Sequence, residues 1–259
     1  MILRALQPIT QIKEELLMGN PETVREMTAG QHKELMAAVI EQFPTDITFT
    51  RAQQLIGRKR TIGEEIARVL RGSELPAEVI ADWTAFYQKI DIEVDLTGLV
   101  LPDYEKGFDR LIVIPRGLTL NPVWAACQKV FAGKTWSAYG DDLDASVPVN
   151  DRMSTASYAI RVLERIEADE ELKNLSANDL KKKKIVSITL LERLVYGLKY
   201  FDETGNHLDR ENRTLCSGSR RSGGDVPDVD LDSDGRVHVG WYNPSGSDDN
   251  LRARSVVSA

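Results

Sequence analysis

Two cysteines, Cys127 and Cys216, are all that this chain of 259 residues carries. They lie far apart, and no export signal opens the chain, so free thiols are expected and not a disulfide. No apolar run approaches the ~18 residues that a membrane helix needs. Met1 to Leu6 lacks the apolar stretch and small-residue cleavage site of a signal peptide. A cytoplasmic location without a membrane partner is the expectation. Catalytic signatures are also missing: there is no P-loop, no G-x-G-x-x-G after a strand, no H-E-x-x-H and no C-x-x-C. Neither His32 nor His207 has a Ser or Cys partner at a recognisable motif spacing. The expectation is a protein that is not an enzyme, with no cofactor and no metal. A net charge of -7 argues against nucleic acid as a general partner.

What is present fits a folded domain. The chain is 42% hydrophobic and 28% charged, and it is long enough to bury a sizeable core. Residues 1–95 read as a small helical module. Asn20-Pro21-Glu22 starts one helix. His32 to Phe43 carries Leu35, Met36, Val39 and Ile40 at helical spacing. Thr50 to Ile56 is short. Thr61-x-x-Glu64 is a capping box for a helix through Leu70, and Glu78 to Ile90 carries Trp83, Phe86 and Tyr87.

The middle is mixed. Leu111 to Ile114 reads as a strand, and Asn121-Pro122 opens a helix containing Trp124 and Cys127. Gly133 to Ser154 reads as loop, while Tyr158 to Glu167 fits strand and helix equally. Thr189-x-x-Glu192 then caps the clearest helix, with Leu190, Leu191, Leu194, Val195 and Leu198 on one face and Gly205 as terminator. Period-2 alternation follows at Val226, Val229 and Leu231, at Val237, Val239 and Trp241, and at Val256 and Val257. It predicts a short antiparallel sheet packed by the preceding helix. The fold class is α+β.

The last 44 residues, Cys216 to Ala259, contain no Glu, Lys, Gln, Met, Ile, Thr or Phe, although the rest of the chain holds 19 Glu. Every acid there is Asp, and apart from His238 every base is Arg. Two familiar patterns can be weighed against this composition. Asp230-x-Asp232-x-Asp234-Gly235 matches half a calcium loop, but position 9 is His238 and position 12 is Trp241. A hairpin with Ser233-Asp234-Gly235 in its turn is preferred over a calcium module at 230–235. Residues 50–71 could form a DNA-binding helix-turn-helix with Arg58, Lys59 and Arg60 at the turn. The second helix opens with Glu64 and Glu65, which phosphates would repel, so a plain bundle is preferred.

Two groups of residues carry a resemblance. One runs Ile188-Thr189-Leu190-Leu191-Glu192-Arg193-Leu194 and Leu198 to Asp209. The other is Leu215-Cys216-Ser217-Gly218-Ser219-Arg220, Val226-Pro227, Gly235-Arg236-Val237, Trp241, Pro244 and Leu251 to Ser258. Together they resemble the variable proteins of diversity-generating retroelements, especially the small bacterial type. The resemblance covers 187–258 well, 97–186 thinly and 1–95 not at all. It implies a C-type-lectin-like domain over 97–259, with a variable region at about 216–258. It also implies a ligand-binding display function, on a face diversified by adenine-directed mutagenesis of AAY codons.

Such codons yield Asn, Asp, Ser, Gly, Tyr, His and Arg among others, but never Glu, Lys, Gln, Met or Trp. Twelve positions between framework residues fit: Arg221, Asp228, Asp230, Asp232, His238, Gly240, Tyr242, Ser245, Gly246, Ser247, Asp248 and Asn250. Strand alternation places Asp228, Asp230 and Asp232 on one face, and His238, Gly240 and Tyr242 on another such face. Val229, Leu231, Val237, Val239 and Trp241 then point to the core. Cys216 reads as buried framework. The expected partner is a protein or other macromolecule with basic or polar character, with Tyr242, His238 and Arg221 as anchors.

Overall fold

The computed structural model describes residues 28–41, 47–57, 77–99, 101–140 and 142–258. The helix start at Asn20, the basic turn at Arg58 and the capping box at Thr61 lie outside them. The chain divides into two units, Met1–Gly63 and Glu64–Ala259. Two helices are described in the first, α1 (Ala29–Glu41) and α2 (Phe49–Gly57). Thr28 and Gln31 cap α1 reciprocally. The Gln31 amide donates to Thr28 Oγ1 at 3.2 Å, and the Thr28 amide donates to Gln31 Oε1 at 2.9 Å.

The first element described in the second unit is α3 (Ala77–Lys89). Its aromatic stripe decides where it belongs. Trp83, Phe86 and Tyr87 are buried in the same cluster as Ile112, Val113 and Ile114, and the Tyr87 hydroxyl donates to the Val113 carbonyl at 2.7 Å. The helical module expected to end at residue 95 is therefore divided, because three large aromatics on one helix need a core to fill.

The rest runs β1 (Arg110–Ile114), α4 (Leu120–Val130), β2 (Thr135–Ser137), α5 (Leu143–Ser146), β3 (Val149–Asn150) and β4 (Tyr158–Val162). A 3₁₀ turn at Glu170–Leu172 leads to α6 (Ala177–Lys182) and α7 (Leu190–Thr204). Then come β5 (Arg213–Leu215), β6 (Ser219–Arg220), β7 (Val226–Leu231), β8 (Val237–Tyr242), β9 (Leu251–Ala253) and β10 (Val257–Ser258). The fold is mixed α and β, with three sheets among the described residues, ordered β1-β4-β10, β2-β8-β7-β5-β9 and β3-β6. The segment read as loop, Gly133 to Ser154, holds β2, α5 and β3. Their lengths of two to four residues are too short to show a period. Tyr158 to Val162 resolves as strand, with Ala159, Ile160 and Val162 buried between β1 and β10.

The five-stranded sheet is mixed, not purely antiparallel. β2 joins β8, and β9 joins β5, as parallel neighbours. One face packs on a large core that includes α4 and α7. The other face is closed at its β9 end by a second cluster of Leu172, Ala177, Leu180, Leu215, Val226, Leu251 and Ala253. Both cysteines are free and buried, and burial pushes the Cys127 thiol up to about 12.

Helix α7 starts and stops as its sequence predicts. Glu192 donates its amide to Thr189 Oγ1 at 3.3 Å and accepts the Thr189 amide at 2.8 Å, and Gly205 ends the helix at φ 69°. The buried Glu192 carboxylate also accepts Arg152 at 2.6 and 2.7 Å and the Tyr158 hydroxyl at 3.0 Å. The next residue is Arg193. Its guanidinium needs the missing side chain of Gly197, where an added Cβ would sit 2.8 Å from Arg193 Nη1.

Arg193 Nε donates to Asp209 Oδ2 at 2.8 Å, and Arg254 Nη2 donates to Asp209 Oδ1 at 2.6 Å. Thr214 donates its hydroxyl to the same carboxylate. Arg254 is fully buried. It also reaches the Arg165 and Ile166 carbonyls at 3.0 and 2.7 Å. Burial alone would raise the Asp209 pKa, but Arg254 and Arg193 outweigh it and hold the carboxyl below its ordinary range. Stability from a depressed carboxyl is present above the unfolded pKa and is lost as pH falls through the folded one. Asp209→Asn leaves two buried guanidinium groups uncompensated and should cost about 3–5 kcal/mol. Denaturant unfolding at neutral pH checks this, and the gap between variant and wild type should narrow below about pH 4. A loss under ~1 kcal/mol at neutral pH would contradict the role given to Asp209.

Candidate functional site

The hairpin of β7 and β8 carries the centre of the candidate face. Its register pairs Asp230 with His238, Asp228 with Gly240 and Val226 with Tyr242, so these six residues share one face. Val229 pairs with Val239, and both are fully buried in the core behind. The alternation expected from the sequence holds across this ladder.

The hairpin turn uses Asp232. Its Oδ1 accepts the Asp234 and Arg236 amides at 2.9 Å each, its Oδ2 accepts Arg236 Nε at 2.9 Å, and Gly235 takes φ 71°. Asp234 pairs with Arg236 at 2.9 Å. The carboxylates of the 230–235 pattern do not converge as calcium ligands would. Among the described residues the one converging group is Asp228, Asp230 and His238.

Two neighbours on this face were not foreseen. Trp136 of β2 lies beside His238 in parallel register and stacks on it, with ring centroids 4.5 Å apart and planes 2° apart. Arg213 of β5 lies between the acids, with a nitrogen 3.7 Å from Asp228 and another 3.7 Å from Asp230. These distances give charge attraction without hydrogen bonds. The guanidinium also lies 5.7 Å over the Tyr242 ring. Trp136, Arg213, Asp230, Asp232, Arg236 and His238 line an open surface groove.

Three of the sequence expectations are corrected. Asp228, expected to face outward, is 1% exposed, and Gly240 is buried beside it. The cause is the small cluster on the same face: Leu215 is the partner of Asp228 in β5, while Val226 and Tyr242 pack at its edge. Trp241, expected in the core, is 49% exposed. Its neighbour strand β2 ends at Ser137, opposite Val239, so the strand pairing on that side stops short of Trp241.

The other candidate positions lie around this ladder. The Tyr242 hydroxyl bonds the Asp248 carboxylate, and Asp248 Oδ1 accepts the Asn250 amide at 2.9 Å. Ser245 Oγ accepts Asn178 Nδ2 at 2.8 Å, and the Gly246 amide closes a turn on the Asn243 carbonyl at 2.8 Å. Ser247 and Asn250 are exposed. Arg221 stands outside the ladder, 3.8 Å from Asp225 and 5.7 Å over the Tyr139 ring. The face is acidic in sequence, but Arg213 and Arg236 neutralise part of it.

Comparison with protein-family models, with curated proteins and with solved structures finds no match to this chain.

Neither Asp228 oxygen has a hydrogen-bond partner. Burial pushes its carboxyl up to about 7, and Arg213 offsets only part of that. A carboxyl raised in the folded state supports folding fully below its unfolded pKa. That support is lost as pH rises towards 7. In metal-free buffer Asp228→Asn should therefore melt higher than wild type at pH 8, by a few kcal/mol of stability at most, and the advantage should vanish near pH 4. Thermal melts at both pH values check this; an Asn variant less stable than wild type at pH 8 would contradict it.

Proposed function

We propose that this protein is a non-enzymatic ligand-binding display protein. In this reading the C-terminal unit is a C-type-lectin-like domain, and the face around β7 and β8 is the diversified face of a retroelement variable protein. The observation that carries the proposal is the ladder itself. It gathers Asp228, Asp230, His238, Gly240 and Tyr242 on one face, while Val229 and Val239 between them fill the core. All five fall within what an AAY codon can become, and the tail around them lacks Glu, Lys, Gln and Met, which such codons cannot supply, while its one Trp, Trp241, stands at a framework position.

Energetics supports the same division. Truncating a buried framework residue costs ~2–5 kcal/mol, whereas exposed substitutions stay within about ±0.5 kcal/mol. A rigid sheet with a changeable rim can thus alter specificity without losing its fold. Trp136 and Tyr242 provide ring surface, and the remaining acids favour a basic or polar macromolecular partner.

Sequencing codons 221–250 from many cells of one population tests this reading. Substitutions should fall on adenines of the twelve candidate codons. Substitutions spread equally over the Val229, Val237 and Val239 codons, or over bases other than adenine, would overturn it.

A further inference from the structure

The acids and the histidine of the ladder have a chemistry of their own. One carboxylate oxygen each from Asp228 and Asp230 and one ring nitrogen of His238 lie within 4.8 Å of one another. They stand on two paired strands of a sheet anchored to the core, so the backbone sets their spacing. His238 Nδ1 is 3.0 Å from Asp230 Oδ1, and the Trp136 ring stacked on His238 restricts its plane.

Asp228 supplies the second, independent observation. Its side chain is 1% exposed, and both oxygens lack a hydrogen-bond partner. A buried carboxylate without hydrogen bonds is costly even with the Arg213 guanidinium 3.7 Å away, and proteins normally satisfy it by hydrogen bonding or metal coordination. Gly240 keeps open the space in front of it. A Cβ there would stand 2.8 Å from Asp228 Oδ1 and 2.9 Å from His238 Cε1.

We propose that Asp228, Asp230 and His238 bind a transition-metal dication of the Mn²⁺ to Zn²⁺ series. The donor set selects the class. Two carboxylates and one imidazole suit a borderline cation, whereas Ca²⁺ takes six to eight oxygens. Three protein ligands leave positions for water or for a donor of a bound partner. Arg213 holds the place of the cation in the metal-free protein and must withdraw when it binds. The site would give the face proposed above an anchoring point for a carboxylate, imidazole or phosphate, but metal binding itself does not depend on that face being diversified.

Calorimetric titration of the metal-stripped full chain with Zn²⁺, and separately with Ca²⁺, tests the site without any other ligand. Wild type should bind one Zn²⁺ here. Asp228→Asn and His238→Gln should each weaken that binding by at least the roughly 10–100-fold that loss of an outer-shell partner costs, while Arg213→Ala should tighten it by removing a like charge. Asp228→Asn removes a buried charge and so keeps the fold. Unchanged Zn²⁺ affinity in either ligand variant, weaker binding by Arg213→Ala, or Ca²⁺ binding as tightly as Zn²⁺ would overturn the site. Such a failure leaves the display reading intact, since codon sequencing tests that separately.

Discussion

The carboxylate of Asp209 ties a helix, a strand and the C-terminal segment of the second unit to one point. It accepts from Arg193 on α7, from Thr214 on β5 and from Arg254 just after β9. Its backbone carbonyl accepts the amide of Leu231, the last residue of β7. Arg254 extends the link to the carbonyls of residues 165 and 166 and lies 5.3 Å over the Tyr196 ring. A buried ionic cluster of this kind adds little net stability over an apolar substitute. Its value here is positional. Every guanidinium nitrogen aimed at Asp209 requires one placement of helix, strand and tail, and Gly197 exists in the middle of α7 because Arg193 occupies its side-chain space.

That frame sets what the candidate face can tolerate. The β7–β8 hairpin is pinned at Leu231 and backed by Val229 and Val239, so its outer positions are presented on a stiff base. The positions are not equivalent, however. Ser245, Ser247 and Asn250 are exposed and can change independently. Asp228 and Gly240 share one buried space, so a larger residue at 240 must be met by a smaller or shifted one at 228. Variation there is coupled, as expected for contacting residues. The Asp228 carboxylate, without a hydrogen bond and only partly offset by Arg213, shows one cost of placing an acid at the covered end of a sheet.

Much of this was legible in the sequence where a pattern was long or a cap was explicit. Thr189, Glu192 and Gly205 marked α7 to the residue, and period-2 alternation located β7 and β8 with the correct faces for Val229 and Val239. Short elements were not legible. Thr135 to Ser137 has no period to read, and its place depends on a parallel pairing with β8, a hundred residues later. That pairing alone brings Trp136 to His238. Arg213 sits two residues before the buried Leu215, which would place it on the Asp228 face once β5 was recognised as a strand. The burial of Asp228 came from a second core cluster contributed by α6 and β9, which no local pattern announces. Glu78 to Ile90 was read correctly as a helix but assigned to the wrong unit, because its aromatic stripe said that it needed a partner without saying which.

The central claim is that a fixed frame carries a changeable face. A library scored by protease resistance measures this most directly. In one pool the exposed or half-buried positions Asp230, His238, Tyr242, Ser245, Ser247 and Asn250 are varied among the residues that AAY codons can yield. In a second pool Val229, Val239, Asp209 and Arg254 are varied in the same way. The account predicts that most members of the first pool stay resistant and few of the second do. Equal loss of resistance in the two pools would contradict it.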